Sequence, residues 1–412
     1  MLPFYDLGHQ RRHWLQTTTV VPILLFVTVL IAFVITMSEG MARTPIVDGA
    51  ANETSHSLNT HFDFTAAASY FLPSLRSTEP STFDPTTTNF GLISQAYDSD
   101  ASLPDASQLT DWQRFAHHVS TLNAHAPDHQ SYHVLYLARH GQGYHNLAER
   151  YYGTGAWDCY YSLLEGDMES KIMWADAHLS KLGLEQARLQ SQFWESQLKH
   201  ANMPVPAKWY VSPMERASRT AEITFQPLQD NGTLGPAHFV PTVKELLRET
   251  NGIHTCDRRS KRSVIAANYP KWKIEEGFAE EDELWDPIYR ETNEAHTYRA
   301  ALLLDDILSS VQTDTGAKGN YLSLTAHGGM INAILRAIGH REFQVNVGSA
   351  IAVLVKVEQK DGKRPNRHFG KGETAPKCLE DPLKAGLPGY KNLKEYVDGV
   401  EGQVNVLRAT AN

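Results

Sequence analysis

One apolar segment of the chain is followed at once by residues that could hold and attack a phosphate group. Residues 134–138 form an unbroken apolar run, which is typical of a strand buried on both faces of a parallel sheet. Arg139, His140 and Gly141 come directly after this run. A guanidinium is a planar donor for phosphate oxygens, an imidazole is a nucleophile near neutral pH, and a glycine lets backbone N–H groups approach an anion. The alternative is a strand-end pair at an ordinary polar surface.

Two more predicted strands end in residues of the same kinds. Residues 208–211 predict a short strand, and Arg216 follows near the start of a helix, where backbone N–H groups favour an anion. Residues 321–325 predict another strand, with His327 just beyond it. Ligands collect beyond the carboxyl ends of the strands in such sheets, so we expect these side chains to lie near His140. Taken singly, Arg216 could be a surface ion pair and His327 a buried, hydrogen-bonded histidine, but neither explains why the arrangement recurs.

Helices must hold these strand ends in place, and the sequence predicts where several of them begin. Thr110 is a good N-cap for a helix over residues 111–123, where large apolar residues repeat at spacings of three and four. Ser180 is a cap of the same kind for a second helix with one apolar stripe. An apolar helix over residues 330–338 follows the third strand. The chain therefore alternates predicted strands with predicted helices.

The composition limits the classes of protein to which this site can belong. The chain has 412 residues, 42% of them hydrophobic, which is enough for a full core in one large or two smaller domains. Its 47 acidic residues exceed its 38 Lys and Arg, which argues against nucleic acid as a partner. Cys159, Cys256 and Cys378 allow at most one disulfide with one thiol left over, and their spacing fits no zinc motif. We therefore expect neither a disulfide scaffold nor a metal site.

An uncharged apolar segment near the N-terminus predicts a membrane anchor. Residues 20–37 are 18 residues without a charge, just long enough to cross a bilayer as a helix. Arg11 and Arg12 precede it, which places the short tail 1–19 in the cytoplasm and the rest of the chain in a lumen or outside the cell. We therefore predict a single-pass type II membrane protein. The alternative is a signal peptide cleaved near Ala42, which would release a secreted protein.

The segment between this anchor and the first helix is predicted to be a stalk that packs partly on the domain. Residues 38–107 are rich in Ser, Thr and Pro, which is typical of an extended arm, but their aromatic residues are too numerous for a fully solvated linker. Asn52, and Asn231 further along, lie in N-x-T triplets that would accept a glycan in a secretory compartment. About two such triplets are expected by chance.

Five motifs in the chain resemble those of a known family. They are RHGQGYHN at residues 139–146, DAHLSKLGLEQA at 176–187, SPMERASRTA at 212–221, LRETNG at 247–252 and AHGGMI at 326–331. With these motifs the chain resembles the histidine phosphatase superfamily, in its phosphoglycerate-mutase-like branch, and is similar to the fungal phosphomutase-like proteins. The resemblance covers residues 132–356 in the family's order, and five ordered motifs make it specific.

The resemblance implies a three-layer α/β/α sandwich with a mostly parallel sheet, spanning residues 108–360. His140 would be the nucleophile that carries the phosphoryl group, and Glu249 would be the proton donor. The residues implied in binding the phosphate are Arg139, Gly141, Asn146, Arg216, His327 and Gly328. No cofactor is implied, and a small phosphorylated molecule would be the substrate.

The residue types make chemical sense for phosphoryl transfer. Charge develops on three oxygens of the transferring group, and two arginines with a second histidine neutralise it. Cationic neighbours also lower the pKa of a nucleophilic imidazole and so keep it neutral. Because the arginines already supply this charge, we expect activity without a metal. For Glu249, and for Glu245 four residues earlier on what would be the same helix, a solvated helix charge is the alternative.

A charged insertion separates Glu249 from the third strand. Residues 254–287 carry both signs of charge in blocks, and we predict that they form a lid, since lids over such sites commonly set specificity. Within it, Arg258 and Arg259 could bind a second anionic group of the substrate, but a charge run is usually a solvated face. Residues 361–412 are polar, with scattered Gly and Pro, and predict only a C-terminal tail.

Together these features favour a membrane-anchored phosphomonoester hydrolase that works through a phosphohistidine on His140. One alternative is a phosphotransferase of the phosphoglycerate-mutase type. Another is a relative without activity, in which the same fold binds phosphorylated ligands or a partner protein. Hydrolysis is favoured over transfer because a glycolytic mutase would find no substrate in a lumen. The sequence predicts no particular protein partner.

Overall fold

The computed structural model describes residues 60–235, 239–315 and 321–411 of the chain. The predicted membrane segment 20–37, the arginines that precede it and Asn52 lie outside these residues, so the topology stays a prediction. Among the described helices, none combines the length and the apolar character that crossing a bilayer requires.

The described residues alternate strands with helices. The strands are β1 (Thr60–Ala67), β2 (Gln130–Arg139), β3 (Gly166–Asp167), β4 (Ile172–Met173), β5 (Lys208–Val211), β6 (Thr242–Val243), β7 (Lys273–Ile274), β8 (Tyr289–Arg290), β9 (Tyr321–Ala326), β10 (Ala350–Asp361) and β11 (Glu373–Thr374). The helices are α1 (Asp111–His125), α2 (Tyr144–Tyr152), α3 (Thr154–Cys159), α4 (Lys181–His200), α5 (Glu215–Asp230), α6 (Arg262–Asn268), α7 (Asn293–Thr315), α8 (Gly328–Ala337) and α9 (Leu393–Ala411). The three predicted strands are confirmed as β2, β5 and β9.

The central sheet of the described chain has seven strands in the order β1-β10-β2-β9-β5-β6-β7. The strands from β2 to β7 in that order are parallel to their neighbours, whereas β10 runs antiparallel to both β2 and β1. The predicted mostly parallel sheet is therefore confirmed. In register, Arg139 lies beside Ala326 and Val211 lies beside Thr325, so three strands end almost level.

Alternating residues of β2 explain why helices cover both faces of the sheet. Val134 and Tyr136 are buried in one cluster with residues of α1, α4 and α5, and Leu135 and Leu137 in another with residues of α7 and α8. Side chains of a strand point alternately to its two faces, so an unbroken apolar run needs apolar partners on both. The α/β/α sandwich that the motifs implied is therefore present.

Side-chain caps fix the helix starts where the sequence predicted them. The Thr110 hydroxyl accepts the Gln113 backbone N–H at 3.2 Å at the start of α1, and the Ser180 hydroxyl accepts that of Gly183 at 3.2 Å at the start of α4. Such a cap contributes about 1 kcal/mol to stability. Helix α8 begins at Gly328, before the predicted start, because His327 occupies its N-cap position.

The predicted arm packs on the domain over its described part. β1 pairs with β10 along its whole length, from Thr60 beside Asp361 to Ala67 beside Leu354. Aromatic residues of the arm that are buried include Phe62, Phe71, Phe83 and Phe90. Full burial of each such side chain contributes about 1.5–3 kcal/mol, which explains why this polar segment does not stay solvated.

The C-terminal segment belongs to the same core as the rest of the domain. β11 pairs with β8, and α9 buries Tyr396 and neighbouring apolar residues in one cluster with residues of α2 and α3. A disulfide joins Cys159, at the end of α3, to Cys378, and Cys256 is a free buried thiol. The domain therefore extends beyond the boundary predicted at residue 360, and the cysteines follow the count that the sequence allowed.

Candidate active site

Loops at the carboxyl edge of the sheet bring His140 and His327 together. The His140 backbone N–H donates to the Ala326 carbonyl at 3.0 Å, and the Ser212 N–H donates to the Thr325 carbonyl at 3.0 Å, which joins the ends of β2, β5 and β9. The two imidazole rings have their centroids 5.0 Å apart. Both side chains are almost fully buried, at 2% and 0% exposure. The strand ends thus converge as expected.

His140 is held in the form that can act as a nucleophile. Its Nδ1 lies 2.7 Å from the carbonyl oxygen of Gly141. Because a carbonyl oxygen can only accept, this hydrogen bond requires the proton on Nδ1 and leaves the lone pair on Nε2. Burial lowers the pKa of His140 well below its ordinary value, and the charges of Arg216 and Arg139 lower it further. The ring is therefore neutral at physiological pH.

His327 holds an unused ring nitrogen close to His140. Its Nε2 lies 2.7 Å from Ser212 Oγ, which also accepts the Met214 backbone N–H at 3.3 Å. The hydroxyl proton is then available to Nε2, which favours a proton on Nδ1 of the ring. That Nδ1 is buried without a hydrogen-bond partner among the described residues. Burial, followed by the charges of Arg216 and His140, lowers the pKa of His327 well below its ordinary value.

Arg139 and Arg216 supply positive charge that the protein neutralises incompletely. Arg139 donates from Nη1 to the Val345 carbonyl at 3.0 Å, and no ion pair of the described chain includes it. The buried Arg216 pairs with Asp257, Nη2 to Oδ1, at 2.9 Å. The Nε atoms of both arginines are buried without a partner. Arg139 has no carboxylate at ion-pair distance among the described residues, and the Asp257 carboxylate that pairs with Arg216 also pairs with Arg290, so an anionic ligand would stabilise this arrangement.

Four buried nitrogen atoms around His140 lack a hydrogen-bond partner among the described residues. They are Arg139 Nε, His145 Nδ1, Arg216 Nε and His327 Nδ1. A buried polar group that stays unsatisfied costs about 1–3 kcal/mol. A phosphoryl group carries negative charge on three oxygens and could satisfy several of these atoms at once. The pocket is therefore suited to hold phosphate beside a neutral nucleophile.

Glu249 reaches the pocket from a bend in the chain. Glu245–Leu247 is a single 3₁₀ turn that ends before Glu249, so the expectation of one helix carrying both Glu245 and Glu249 is wrong. The Glu249 carboxylate accepts the N–H of Gly329, in the first turn of α8, at 3.1 Å. A Cβ on Gly329 would lie 2.2 Å from this carboxylate, which explains the glycine. Glu245 instead pairs with an arginine of the lid.

A buried ion pair holds the bend that carries Glu249. Arg299 of α7 pairs with Glu291 at 2.6 Å. The same guanidinium donates to the backbone carbonyls of Leu246, Arg248 and Glu249 at 2.7, 3.0 and 2.8 Å. Glu291 in turn accepts a backbone N–H from the other side of the bend at 3.1 Å. The backbone on both sides of Glu249 is therefore fixed from one point.

The two glycines that were expected to bind phosphate have packing roles. The Gly141 N–H donates to Thr220 Oγ1 at 3.0 Å, so it is already satisfied within the protein. A Cβ on Gly141 would lie 2.5 Å from the Gly183 carbonyl oxygen, and one on Gly328 would lie 3.2 Å from Cζ of Arg139. The expectation for Gly141 is therefore corrected, and Gly328 gives the Arg139 guanidinium room to lie at the pocket.

The first turn of α2 places Asn146 and His145 near His140. The Asn146 Oδ1 accepts the Gly143 N–H at 3.1 Å and so caps the helix, while its contact with phosphate stays a prediction. His145 was missed as a site residue. Its ring centroid lies 5.4 Å from that of His140. The signal that could have found it is a second histidine within the motif RHGQGYHN.

The insertion 254–287, whose role as a lid stays a prediction, contributes a carboxylate that sequence reasoning also missed. Asp257 is buried and accepts from Arg216 at 2.9 Å and from Arg290 at 3.1 Å. Burial raises the pKa of Asp257, but the charges of Arg290 and Arg216 outweigh burial and lower it overall. The carboxylate is therefore ionised, and it fixes the direction in which Arg216 points.

Arg258 and Arg259 do not form a second anion site in the structure. The Arg259 side chain is 0% exposed and pairs through Nε with Glu245 at 2.8 Å. Both of its Nη atoms donate to backbone carbonyls of the lid. Arg258 donates to both carboxylate oxygens of Glu165, at 2.9 and 2.8 Å. The prediction is corrected for Arg259, which the protein saturates, and it stays a prediction for Arg258, which binds an exposed carboxylate.

One cluster in the described chain has side chains of metal-binding type at close range. Ligand atoms of His254, Cys256 and Asp257 lie within 4.8 Å of one another. Arg216 and Arg290 both pair with Asp257, so a cation bound there would lie beside two guanidinium groups. Coulomb repulsion disfavours that arrangement. The cluster is better explained by the ion pairs, and activity without a metal stays a prediction.

Comparison with known proteins identifies the family of this chain. Residues 168–364 match the model of the histidine phosphatase superfamily (branch 1). The chain is 47% identical over 296 residues to a probable phosphoglycerate mutase of Arthroderma benhamiae, covering 72% of this chain and 84% of the relative. It is 34% identical over 262 residues to a probable phosphoglycerate mutase of Saccharomyces cerevisiae, covering 60% and 84%. The chain belongs to the histidine phosphatase superfamily, in its phosphoglycerate-mutase-like branch.

Proposed function

We propose that this chain hydrolyses phosphomonoesters through a phosphohistidine formed on His140. The observation that carries the proposal is the neutral, buried ring of His140, with its lone pair on Nε2, beside two arginines whose Nε atoms are unsatisfied. Phosphoryl transfer depends mainly on positioning and on neutralising charge. The pocket supplies both with side chains of the protein itself.

The first step transfers the phosphoryl group to the protein. The Nε2 lone pair of His140 attacks phosphorus while the ester P–O bond breaks and its electron pair goes to the leaving oxygen. Arg139, Arg216 and His327 bind the equatorial oxygens, on which charge develops. The carboxyl group of Glu249, in its protonated form, gives its proton to the leaving oxygen. An alcohol leaves, and a phosphohistidine and a Glu249 carboxylate remain.

Water completes the cycle. The Glu249 carboxylate takes a proton from a water molecule as the water oxygen attacks phosphorus. The N–P bond breaks, its electron pair returns to Nε2 of His140, and inorganic phosphate leaves. Because Arg299 and Glu291 fix the bend around Glu249, the same carboxylate stays in place for both steps.

Trapping the intermediate tests this proposal. The protein is mixed with a labelled phosphomonoester, quenched rapidly and mapped by mass spectrometry, and we expect the label on His140. His140→Asn should lose turnover almost completely, because no other nucleophile takes its place. His327→Asn should still accept the label but turn over about 10²–10³ times more slowly, the loss typical of one preorganised donor. Label on His327, or near wild-type turnover by H140N, would contradict the assignment.

A phosphotransferase is the second candidate. It is favoured by the names of both relatives compared above, which are probable phosphoglycerate mutases. The two reactions differ in the acceptor, since a glycerate hydroxyl would take the place of water at the phosphohistidine. Incubation with 3-phosphoglycerate followed by NMR separates them, because a mutase forms 2-phosphoglycerate and a hydrolase releases inorganic phosphate. A protein that binds phosphate and does neither would be the inactive relative.

We also propose that the domain lies on the non-cytoplasmic side of a membrane. The uncharged segment 20–37 supports this, and so does the disulfide between Cys159 and Cys378, since such bonds persist mainly in oxidising compartments. The acceptor Asn231 is exposed. Protease added to sealed vesicles should leave the domain intact, and alkaline carbonate should leave the protein in the membrane. Digestion would contradict the orientation, and extraction would favour the secreted alternative.

A further inference from the structure

His145 lies beside the nucleophile but has no part in the mechanism above. It occupies the first turn of α2, five residues after His140. Its ring centroid is 5.4 Å from that of His140, close to the 5.0 Å that separates His140 from His327. Its side chain is only 8% exposed, so little water reaches it. Two imidazoles therefore flank the nucleophile at similar distances.

The hydrogen bonding of His145 is less complete than that of an ordinary buried histidine. Its Nδ1 is buried without a partner, and neither ring nitrogen takes part in a hydrogen bond within the described chain. The buried His133, by comparison, also has an unpartnered Nδ1, but its Nε2 lies 2.9 Å from Ser131 Oγ. An unsatisfied buried polar group costs about 1–3 kcal/mol. A ligand that enters the pocket could offset this cost.

The backbone makes room for the His145 ring at this place. A Cβ on Gly143 would lie 2.6 Å from Nδ1 of His145 and 2.8 Å from its Cε1, so only a glycine leaves space for the ring. Asn146 Oδ1 holds the Gly143 N–H at 3.1 Å and fixes this turn. The ring is thus positioned by the chain before any ligand binds, as a preorganised contact requires.

The charge around His145 favours an anion as its partner. Burial lowers the pKa of His145 well below its ordinary value, and Arg216, His140 and Arg139 act in the same direction. The neutral ring presents one donor and one acceptor. Because arginines dominate the local charge, the group that enters must be negative. The charge of a protonated His145 would also act on His327, so both imidazoles share the pocket in which a phosphorus on Nε2 of His140 would be held.

We propose that His145 is a further catalytic residue, an imidazole that donates a hydrogen bond to an oxygen of the transferring phosphoryl group. This inference rests on the proposed phosphohistidine chemistry and adds a contact to it. The inference also explains why residue 143 is a glycine, since a glycine lets the imidazole lie beside the reacting atoms. The alternative is that His145 only fills space next to the loop.

Two substitutions separate these explanations. His145→Phe keeps a ring but removes both nitrogens, and His145→Asn keeps a donor. We expect H145F to lower kcat/KM for p-nitrophenyl phosphate about 10²-fold. It should also weaken the binding of inorganic phosphate, measured by calorimetry, about tenfold. H145N should keep more of both. His133→Phe is the matched control, since His133 is a buried histidine seven residues before His140 on β2, and it should change neither quantity.

Calorimetry keeps this inference distinct from the proposed function. If the wild type binds phosphate but forms no phosphohistidine, the proposed function fails, while the phosphate affinities still test His145. If the wild type hydrolyses and H145F keeps kcat/KM and phosphate affinity within about twofold, the inference is overturned. Thermal melting shows whether each variant is folded. Should H145F unfold, the same limits apply to His145→Ala, which also removes both ring nitrogens.

Discussion

Two sets of arginines in this protein differ in what satisfies them. In the pocket, Arg139 and Arg216 keep buried Nε atoms without partners, and Arg139 belongs to no ion pair of the described chain. In the lid, Arg259 uses its donors on a carboxylate and several backbone carbonyls, and Arg258 binds both oxygens of Glu165. The sequence alone does not distinguish the two sets. Only the arginines of the pocket keep unsatisfied donors for an anionic ligand.

The difference teaches that unsatisfied donors and uncompensated charge mark an anion site, whereas the number of arginines does not. A guanidinium saturated by carboxylates and carbonyls crosslinks the fold and has no N–H left for a substrate. A guanidinium with an unused N–H gains from any anion that enters, and Arg139, which has no carboxylate at ion-pair distance among the described residues, gains more than Arg216, which pairs with Asp257. We therefore expect the charge run of the lid to act on stability and the arginines of the pocket to act on the proposed chemistry.

Arg259→Gln should cause the largest loss of stability. The Arg259 side chain is fully buried and bonded to Glu245, and removing one partner of a buried pair costs about 3–5 kcal/mol. Urea unfolding followed by fluorescence measures the loss. At temperatures where the variant is folded, its kcat/KM should stay near that of the wild type. A variant as stable as the wild type but with weaker substrate binding would reverse the comparison.

Arg139→Gln should show the opposite pattern. We expect kcat/KM to fall about 10²–10³-fold, because a preorganised charge on the phosphoryl oxygens is lost. Its free energy of unfolding should be equal or slightly higher, since a partly buried cation without a carboxylate partner is removed. Arg139→Lys is the control that keeps the charge without the planar fork, and it should lie between the two. If R139Q unfolded as readily as R259Q, Arg139 would belong with the structural arginines.

Buried and exposed histidines also differ, and the pH dependence of stability can show the difference. Burial lowers the pKa of His133 to about 4, whereas an unfolded histidine titrates near 6.5. Between these values the unfolded state binds the proton and the folded state does not, so stability falls as pH drops below about 6.5. His178 is exposed, and its hydrogen bond to Glu215 raises its pKa. The stabilisation by protonated His178 is present at low pH and lost as pH rises, so it opposes the effect of His133.

Urea unfolding of the wild type and of His133→Phe at pH 6.5 and pH 5 measures this effect. One buried neutral histidine contributes at most about 1.4 kcal/mol per pH unit, and the unfolded histidine is half protonated at pH 6.5, so the wild type should lose about 1.6 kcal/mol more than H133F over this interval. His178→Ala should change the dependence in the opposite direction. An equal loss in the wild type and H133F would mean that His133 is protonated in the folded state.

Arg258→Ala should have the smallest effect. Arg258 and Glu165 are 37% and 51% exposed, and exposed pairs of this kind contribute at most about 1 kcal/mol. The KM for 3-phosphoglycerate relative to that for p-nitrophenyl phosphate should not change, because the guanidinium already binds a carboxylate. A selective rise in the KM of the substrate with a second anionic group would restore Arg258 as part of an anion site.

The strand ends could be predicted because each depends on a local pattern. The apolar run before Arg139 and the caps at Thr110 and Ser180 involve residues that are close in sequence. The bend at Glu249 could not be predicted in the same way. The spacing to Glu245 allows a helix, but the contact that places the Glu249 carboxylate comes from Gly329, 80 residues away. A tertiary contact of this range leaves no signal in local periodicity.

The lid and the C-terminal segment show the same limit. Arg259 is structural because folding brings backbone carbonyls of residues 279–281 around it, which composition does not reveal. Helix α9 was predicted as part of a tail, since its apolar residues are covered only when α2 and α3 are in place. The cysteines allowed one disulfide, but the pairing of Cys159 with Cys378 spans 219 residues and could not be chosen among the possible pairs.

The disulfide between Cys159 and Cys378 closes most of the domain into a covalent ring. The ring contains Arg216, Glu249 and His327, and His140 precedes it in the chain. A protease that cuts once inside the ring, for example at the 77% exposed Met168, would leave every catalytic side chain on one molecule. The cut protein would run as one band on a gel without reductant and as two bands with it. A protein built in this way keeps its parts together after a cut that would split a chain without the disulfide.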